Sequence, residues 1–239
     1  MNVGLIFAGG TGSRMNIKTK PKQFLEVDGR AIIIHTLEHF ENHPAIDAVA
    51  VVCLEAWIPY MKKLLVKNNI QKAKWVVPGG ETGQDSIYHG LQVIHENCPE
   101  DTVVLIHDGV RPLINEAVIT DNLATVAAKG NSITVTPAIE TIVQQSEDRE
   151  ITATYQRQMC SLARAPQCFK LAEIWDCHQK ALAEERHDFI DSASIMMHYG
   201  YSLYTTDGPA ENIKITTPLD YFTFKSILDM RRSQQAFGI

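Results

Sequence analysis

Val3-Gly-Leu-Ile-Phe-Ala-Gly-Gly-Thr-Gly-Ser-Arg14, continued by Met-Asn-Ile-Lys-Thr-Lys-Pro-Lys-Gln-Phe-Leu25, sets an apolar β-run directly against a loop with three closely spaced glycines, Gly9, Gly10 and Gly12. Glycines so placed let the backbone turn sharply and approach a ligand, so that successive N–H groups converge on phosphate oxygens. Arg14 and Lys22 add positive charge beside them. Two common nucleotide loops are excluded. Gly10-Thr11-Gly12-Ser13-Arg14-Met15 lacks the last glycine of a dinucleotide fingerprint, and no Gly-Lys-Ser/Thr closes a P-loop. The stretch therefore reads as a strand feeding a phosphate loop of another kind.

The rest of the chain repeats this alternation. Val3–Phe7, Ala48–Cys53, Trp75–Val77, Val103–Ile106 and Ser132–Thr136 read as buried strands, apolar on both faces as a parallel sheet requires. Ile32–Phe40, Trp57–Asn68, Asp85–His95 and Ile119–Lys129 carry apolar residues at helical spacing between them. Such succession predicts an α/β fold with a doubly wound, mostly parallel sheet, whose ligands gather at the carboxyl ends of the strands. The regularity breaks after residue 139. Glu140–Gln145 and Ile151–Tyr155 flank a polar Ser-Glu-Asp-Arg-Glu tip, which reads as a hairpin within an arm at about 139–168. A projecting arm invites a partner subunit. Helical patterns return near Leu171–Glu184, Asp191–Tyr199 and Leu219–Arg232, with no repeat or low-complexity linker, so one domain over 1–239 is expected.

Composition narrows the function classes. Of the 239 residues 45% are hydrophobic, enough for one large core. Twenty-two basic against 28 acidic residues give a formal charge of −6, so any phosphate site is local and a nucleic-acid surface is not expected. Cys53, Cys98, Cys160, Cys168 and Cys177 form no Cys-x-x-Cys pair, and their odd number fits a reducing compartment. No apolar run approaches the roughly 20 residues of a membrane span, and no signal-peptide architecture precedes Val3. A cytoplasmic protein is expected.

His107-Asp108-Gly-Val-Arg111-Pro112 follows the strand at Val103–Ile106. A carboxylate at the end of a central strand, opposite a phosphate loop, is placed to hold Mg²⁺ on a triphosphate. Asp108 is thus the metal candidate, with a turn or helix N-cap as its plainer role. Arg111 either serves a ligand or pairs with Asp108.

Taken together, Ala8-Gly9-Gly10-x-Gly12-x-Arg14, Pro21-Lys22-Gln23-Phe24, Gly79-Gly80 with Asp85-Ser86, His107-Asp108-x-x-Arg111-Pro112, Ala165-Pro166-Gln167-x-Phe169 and Asn212-Ile213-Lys214-Ile215-Thr216 form an ordered set. The set resembles the polyol-phosphate cytidylyltransferases, whose branches act on ribitol 5-phosphate or 2-C-methyl-D-erythritol 4-phosphate. The resemblance runs from residue 3 to about residue 225. It implies a Rossmann-like nucleotidyltransferase fold and a reaction in which CTP and a sugar-alcohol phosphate give a CDP-alditol and pyrophosphate. In-line displacement at phosphorus needs no protein nucleophile; positioning and charge neutralisation carry it.

By resemblance, Arg14 and Lys22 stabilise the transition state, and Mg²⁺ bridges the triphosphate with Asp108. The nucleotide is held by Ala8, Gly9, Gly10, Thr11, Gly12, Gly79, Gly80 and Glu81, with the Ser86 hydroxyl; the alternative for Ser86 is a helix cap. Fixed backbone donors and acceptors suit cytosine, whose amino group, ring nitrogen and carbonyl differ from those of uracil. Arg157, Lys214, Thr141 and Arg111 position the acceptor, and the arm reaches across a homodimer to share that pocket. Lys214, flanked by Ile213 and Ile215, reads as a buried lysine needing an anion. Asp191 either touches polyol hydroxyls or caps a helix. Two positions depart from the family pattern: Gly83 stands where relatives usually carry arginine, and Ala165 where they carry threonine, with Arg164 beside it as compensating charge or as a mere surface charge like Arg157. Ala-Gly-Gly, the valine of His-Asp-Gly-Val-Arg-Pro, Lys-Gln-Phe and Asn-Ile-Lys-Ile-Thr-Thr-Pro point to D-ribitol 5-phosphate as acceptor, for a surface polymer such as teichoic acid or capsule. 2-C-methyl-D-erythritol 4-phosphate is the alternative acceptor, and a catalytically silent nucleotide-binding protein the alternative of another class.

Overall fold

The strand that opens the sequence, β1 (Asn2–Ala8), lies between β4 (Ala48–Cys53) and β6 (Val103–Asp108) and runs parallel to both. A computed structural model describes residues 1–10 and 20–237. β5 (Ala73–Pro78) extends the sheet beyond β4; on the other side β10 (Ser161–Lys170), β7 (Asn131–Pro137) and β11 (Thr205–Asp207) follow β6, giving the order β11-β7-β10-β6-β1-β4-β5. β10 runs antiparallel to both neighbours, so the seven-stranded sheet is mostly parallel. The fold is α/β and doubly wound, as the alternation predicts.

Side-chain alternation along the central strands explains the two layers of helices. Ile6 and Ala8 of β1 and Val49, Val51 and Cys53 of β4 face one core, shared with α1 (Ile32–Asn42), α2 (Ile58–Lys67) and α4 (Glu116–Lys129). Val3 and Leu5 with Ala48, Ala50 and Val52 face the other, shared with α3 (Gly83–Asn97), α5 (Leu171–Ala183) and α6 (Ser192–His198). Each fully buried Leu, Ile or Val contributes about 1.5–3 kcal/mol, so a strand apolar on both faces is stable only at the centre of such a sandwich. α7 (Pro218–Phe237) packs Phe224 on Ile32, Ile215 and Leu113 in a smaller cluster that includes Val27 of the short hairpin β2 (Glu26–Val27) and β3 (Arg30–Ala31).

The chain leaves β1 toward β4 and β5, then crosses back to β6 on the other flank of β1. At such a reversal the crossover loops diverge and leave a crevice outside the carboxyl ends of the strands. Phe7 and Asp108 are register partners there, as are Ala8 and Cys53.

Four features differ from the sequence reading. Trp75–Val77 belongs to an edge strand that is only half buried, not covered on both faces. β10, β11 and the β2–β3 hairpin were not expected, because none shows an apolar alternation. Only β8 (Ile142–Gln145) and β9 (Ile151–Tyr155) project, as a separate two-stranded ribbon. Residues 161–168, expected within the arm, lie in the central sheet. No helix of the described residues is long and apolar enough to cross a membrane.

α3 lies on β1 and β4 through Gly90, where an added Cβ would stand 2.9 Å from Leu5 Cγ and from Val52 Cγ2. Gly90→Val therefore overfills a packed layer, and its urea unfolding midpoint should correspond to a loss of about 1–3 kcal/mol; an unchanged midpoint would show that the helix does not press on the sheet there.

Candidate active site

Gln23 holds the chain where it leaves β1. Its Nε2 donates to the Ala8 carbonyl at 2.7 Å and to that of Gly10 at 3.5 Å. The neighbouring Phe24 is fully buried and stacks on Trp57 at 5.0 Å, which fixes the 3₁₀ turn Lys22–Phe24 and with it the root of Lys22. In the sequence Gln23 stands only within a motif; its reach of 15 residues to Ala8 is a tertiary fact.

On the opposite wall, Ser86 joins two glycine pairs. Its Oγ accepts from the Gly80 N–H at 3.1 Å. A Cβ on Gly9 would lie 2.7 Å from that oxygen and one on Gly79 2.9 Å from it, so only glycine allows the two loops to close on Ser86. Ser86 is not the helix cap. Thr82 caps α3, accepting from the Asp85 N–H while the Asp85 carboxylate accepts from the Thr82 N–H. Gly83 opens the helix with no atom within 4 Å of where a Cβ would stand.

Asp108 joins the remaining motifs. Its Oδ1 lies 2.6 Å from Lys214 Nζ and its Oδ2 accepts from Arg111 Nε at 2.7 Å. Arg111 Nη1 donates to the Asn212 carbonyl at 2.9 Å, Asn212 Nδ2 to the Ala165 carbonyl at 2.7 Å, and the Ile215 N–H to the Val110 carbonyl at 2.9 Å. The segments around residues 108–111, 165 and 212–215 are thereby one bonded unit. Burial works to raise the Asp108 pKa, but the charges of Lys214 and Arg111 outweigh it and hold the carboxyl at about 2.

Two clefts of about 300 Å³ each meet at this unit. The first is lined by Ala8, Gly9, Gly10, Lys22, Gly80, Glu81 and Ser86. The second is lined by Arg111, Arg164, Ala165, Gln167, His178 and Asp191. Phe7, Gly83, Asp108 and Lys214 belong to both. Asp191 caps α6, accepting from the Ser194 N–H at 2.8 Å, and its other oxygen accepts from Gln167 Nε2 at 2.8 Å.

The remaining sequence-predicted residues fall elsewhere. Thr11, Gly12 and Arg14 lie outside the described residues. Gly79 stands behind Gly80, against Ser86. Thr141 and Arg157 are exposed on or beside the ribbon and line neither cleft; Arg157 Nη1 donates to the Ile139 carbonyl at 2.9 Å. Lys214 is not a buried lysine awaiting an anion: its side chain is 40% exposed and its anion is Asp108. Asp108, expected to hold Mg²⁺, sits among charges of its own. Both its oxygens face cations, and no group of three His, Cys, Asp or Glu residues able to hold a metal occurs among the described residues. A divalent ion brought by a triphosphate would have to share the Asp108 carboxylate with Lys214 and Arg111.

Burial also holds His107 and His178 neutral, with pKa values of about 4. The unfolded chain binds protons at these histidines from about pH 6.5 and at Asp108 from about pH 3.9, above the native values, so acid favours unfolding. Stability should fall first as pH drops from about 6.5 to 4, through the histidines, and again toward pH 2, through Asp108. Asp108→Asn should cost about 3–5 kcal/mol at neutral pH by leaving two cations unpaired, and should remove the second decline; urea midpoints that stay level from pH 7 to 4 would contradict the buried neutral histidines.

Comparison with known proteins places this geometry. Residues 3–230 match the family described as IspD, 2-C-methyl-D-erythritol 4-phosphate cytidylyltransferase. The chain is 50% identical to a ribitol-5-phosphate cytidylyltransferase of Vibrio parahaemolyticus, with 100% of both chains covered, and 48% identical to one of Streptococcus agalactiae over the same full length. A 2-C-methyl-D-erythritol 4-phosphate cytidylyltransferase of Clostridium botulinum is 35% identical, covering 95% of this chain and 97% of that one. Among solved structures, the 4-diphosphocytidyl-2C-methyl-D-erythritol synthase of Anaerococcus prevotii superposes with a TM-score of 0.82 at 25% identity, covering 95% of this chain and 96% of that one. The fold, the meeting of the six motifs at one crevice and these full-length likenesses agree: this chain belongs to the IspD family of cytidylyltransferases.

Proposed function

We propose that the protein transfers the cytidylyl group of CTP to D-ribitol 5-phosphate, forming CDP-ribitol and releasing pyrophosphate. The observation that carries the choice of acceptor is the full-length identity of 48–50% to relatives named for ribitol 5-phosphate, against 35% for one named for 2-C-methyl-D-erythritol 4-phosphate. The paired clefts support the reaction type. The glycine-lined cleft takes the nucleotide, the cleft beside Arg111 takes the acceptor, and Lys214 stands between them.

In this reading an oxygen of the acceptor's phosphate attacks the α-phosphorus of CTP. The new P–O bond forms as the bond to the β-phosphate bridging oxygen breaks, and pyrophosphate carries away the electron pair. Lys22, and Arg14 by resemblance, neutralise charge that grows on the α-phosphate and on the leaving group. Gly79–Gly80 and Ser86 set the backbone groups that meet cytosine. Mg²⁺ bound to the triphosphate would supply further charge neutralisation, and Asp108, the carboxylate that lines both clefts, would be the residue to hold it. The product would be a donor for a pentitol-phosphate surface polymer such as teichoic acid or capsule, made in the cytoplasm.

We further propose a homodimer formed through the β8–β9 ribbon. A lone two-stranded ribbon is marginal in water, and this one and its flanks expose Ile139, Ile151, Tyr155 and Met159. Dimerisation would cover them and bring Arg157 and Thr141 toward a second subunit's acceptor cleft. Sedimentation should find a dimer that Ile151→Asp with Met159→Asp converts to monomer with at least about tenfold lower turnover; a fully active monomer would refute the arm's role.

Pyrophosphate release from CTP should be faster with D-ribitol 5-phosphate than with 2-C-methyl-D-erythritol 4-phosphate. Lys22→Ala and Arg14→Ala should each lower kcat by about 10²-fold or more. The opposite acceptor ranking would assign the protein to the methylerythritol branch, and CTP binding without turnover of either acceptor would leave a silent nucleotide-binding protein.

A further inference from the structure

The acceptor cleft contains a cation that the family resemblance does not place there. Arg111, Arg164 and Lys214 all line it, against the two carboxylates of Asp108 and Asp191. Asp108 has one oxygen facing Lys214 and the other facing Arg111. Asp191 accepts from a helix N-terminal N–H and from Gln167. Arg164 has no ion pair among the described residues. Its single hydrogen bond there runs from Nε to Thr136 Oγ1 at 3.2 Å, which leaves both terminal nitrogens of the guanidinium without a partner.

The placement of this side chain works against its own charge. Arg164 is half buried, and burial together with the charge of Arg111 lowers its pKa. A guanidinium kept beside another guanidinium, in a wall with one cation in excess, is stabilised when an anion enters. The backbone holds it there: the register of β10 against β7 shifts between Ala163 and Gln167, and the Ala165 carbonyl is bonded to Asn212, so residue 164 is fixed to the unit built on Asp108. Arg157, the arginine that resemblance nominates, is exposed and outside the cleft of its own chain.

We propose that Arg164 binds the phosphate group of the acceptor, its free guanidinium edge presenting paired donors to a phosphate monoester. A planar fork with two open N–H groups matches two phosphate oxygens, and charge-assisted bonds of this kind are the strong ones. This assignment rests on the transfer reaction proposed above and adds a residue that recognises the acceptor.

The test is steady-state kinetics of the full-length protein with CTP, Mg²⁺ and D-ribitol 5-phosphate, for wild type, Arg164→Leu and Arg164→Gln. The second variant keeps a polar side chain of similar reach in case the first does not fold. Both should raise the acceptor KM by about tenfold or more and leave the CTP KM within about twofold of wild type. An acceptor KM that does not rise overturns the proposal and leaves the transfer reaction standing. A CTP KM that rises as much as the acceptor KM also overturns it, by moving Arg164 to the nucleotide. Wild-type protein that binds CTP but transfers to no polyol phosphate removes the reaction, and the role of Arg164 with it.

Discussion

Everything at this site depends on a buried carboxylate that holds two cations it does not neutralise completely. Asp108 ends the central strand β6 and meets Lys214 and Arg111, residues that come from 106 positions later and three positions later in the chain. An ionised carboxylate so deeply buried is tolerable only because its partners are charged and close. The gain is positional: the loop after β6, the bulge of β10 and the segment before α7 are tied into one piece. That piece forms the wall between two clefts, and phosphate chemistry requires such a wall when two polyanions must be brought together without merging.

The division of labour across the wall follows from residue type. The cleft proposed for the nucleotide is built largely from backbone, with Gly9, Gly79 and Gly80 closed around the Ser86 hydroxyl and Gln23 bonded to the Ala8 carbonyl. Backbone groups are fixed by the sheet and helix that carry them, so they suit recognition of a base. The cleft proposed for the acceptor carries the long cationic side chains Arg111, Arg164 and Lys214, whose charge suits a phosphate monoester. Burial of His107 and His178 as neutral rings adds no further charge to either cleft at neutral pH.

The sequence makes the architecture legible where burial is two-sided. β1, β4 and β6 carry apolar residues on both faces, and only the centre of a covered sheet accommodates that, whereas β7 packs Ile133 and Val135 on one face and turns Ser132 and Thr134 to Asn122 on the other. β10 escapes the same reading because Arg164 and Pro166 interrupt it and a register shift, not alternation, shapes it. The site was legible as a set of motifs but not as bonds. The cap offered as the alternative role of Ser86 falls to Thr82, and the sequence does not show that Lys214 and Arg111 face the two oxygens of Asp108. Gln23 and Asn212 act through partners 15 and 47 residues away, distances over which local pattern carries no signal.

The most direct test of the two-cleft arrangement is a crystal structure of the protein with a non-hydrolysable CTP analogue and the acceptor phosphate bound together. The cytidine should lie between the Gly9–Gly10 and Gly79–Gly80 loops, the acceptor's phosphate beside Arg111 and Arg164, and Lys214 between the reacting phosphates. A nucleotide lodged against Arg164, or both ligands on one side of Asp108, would contradict the arrangement.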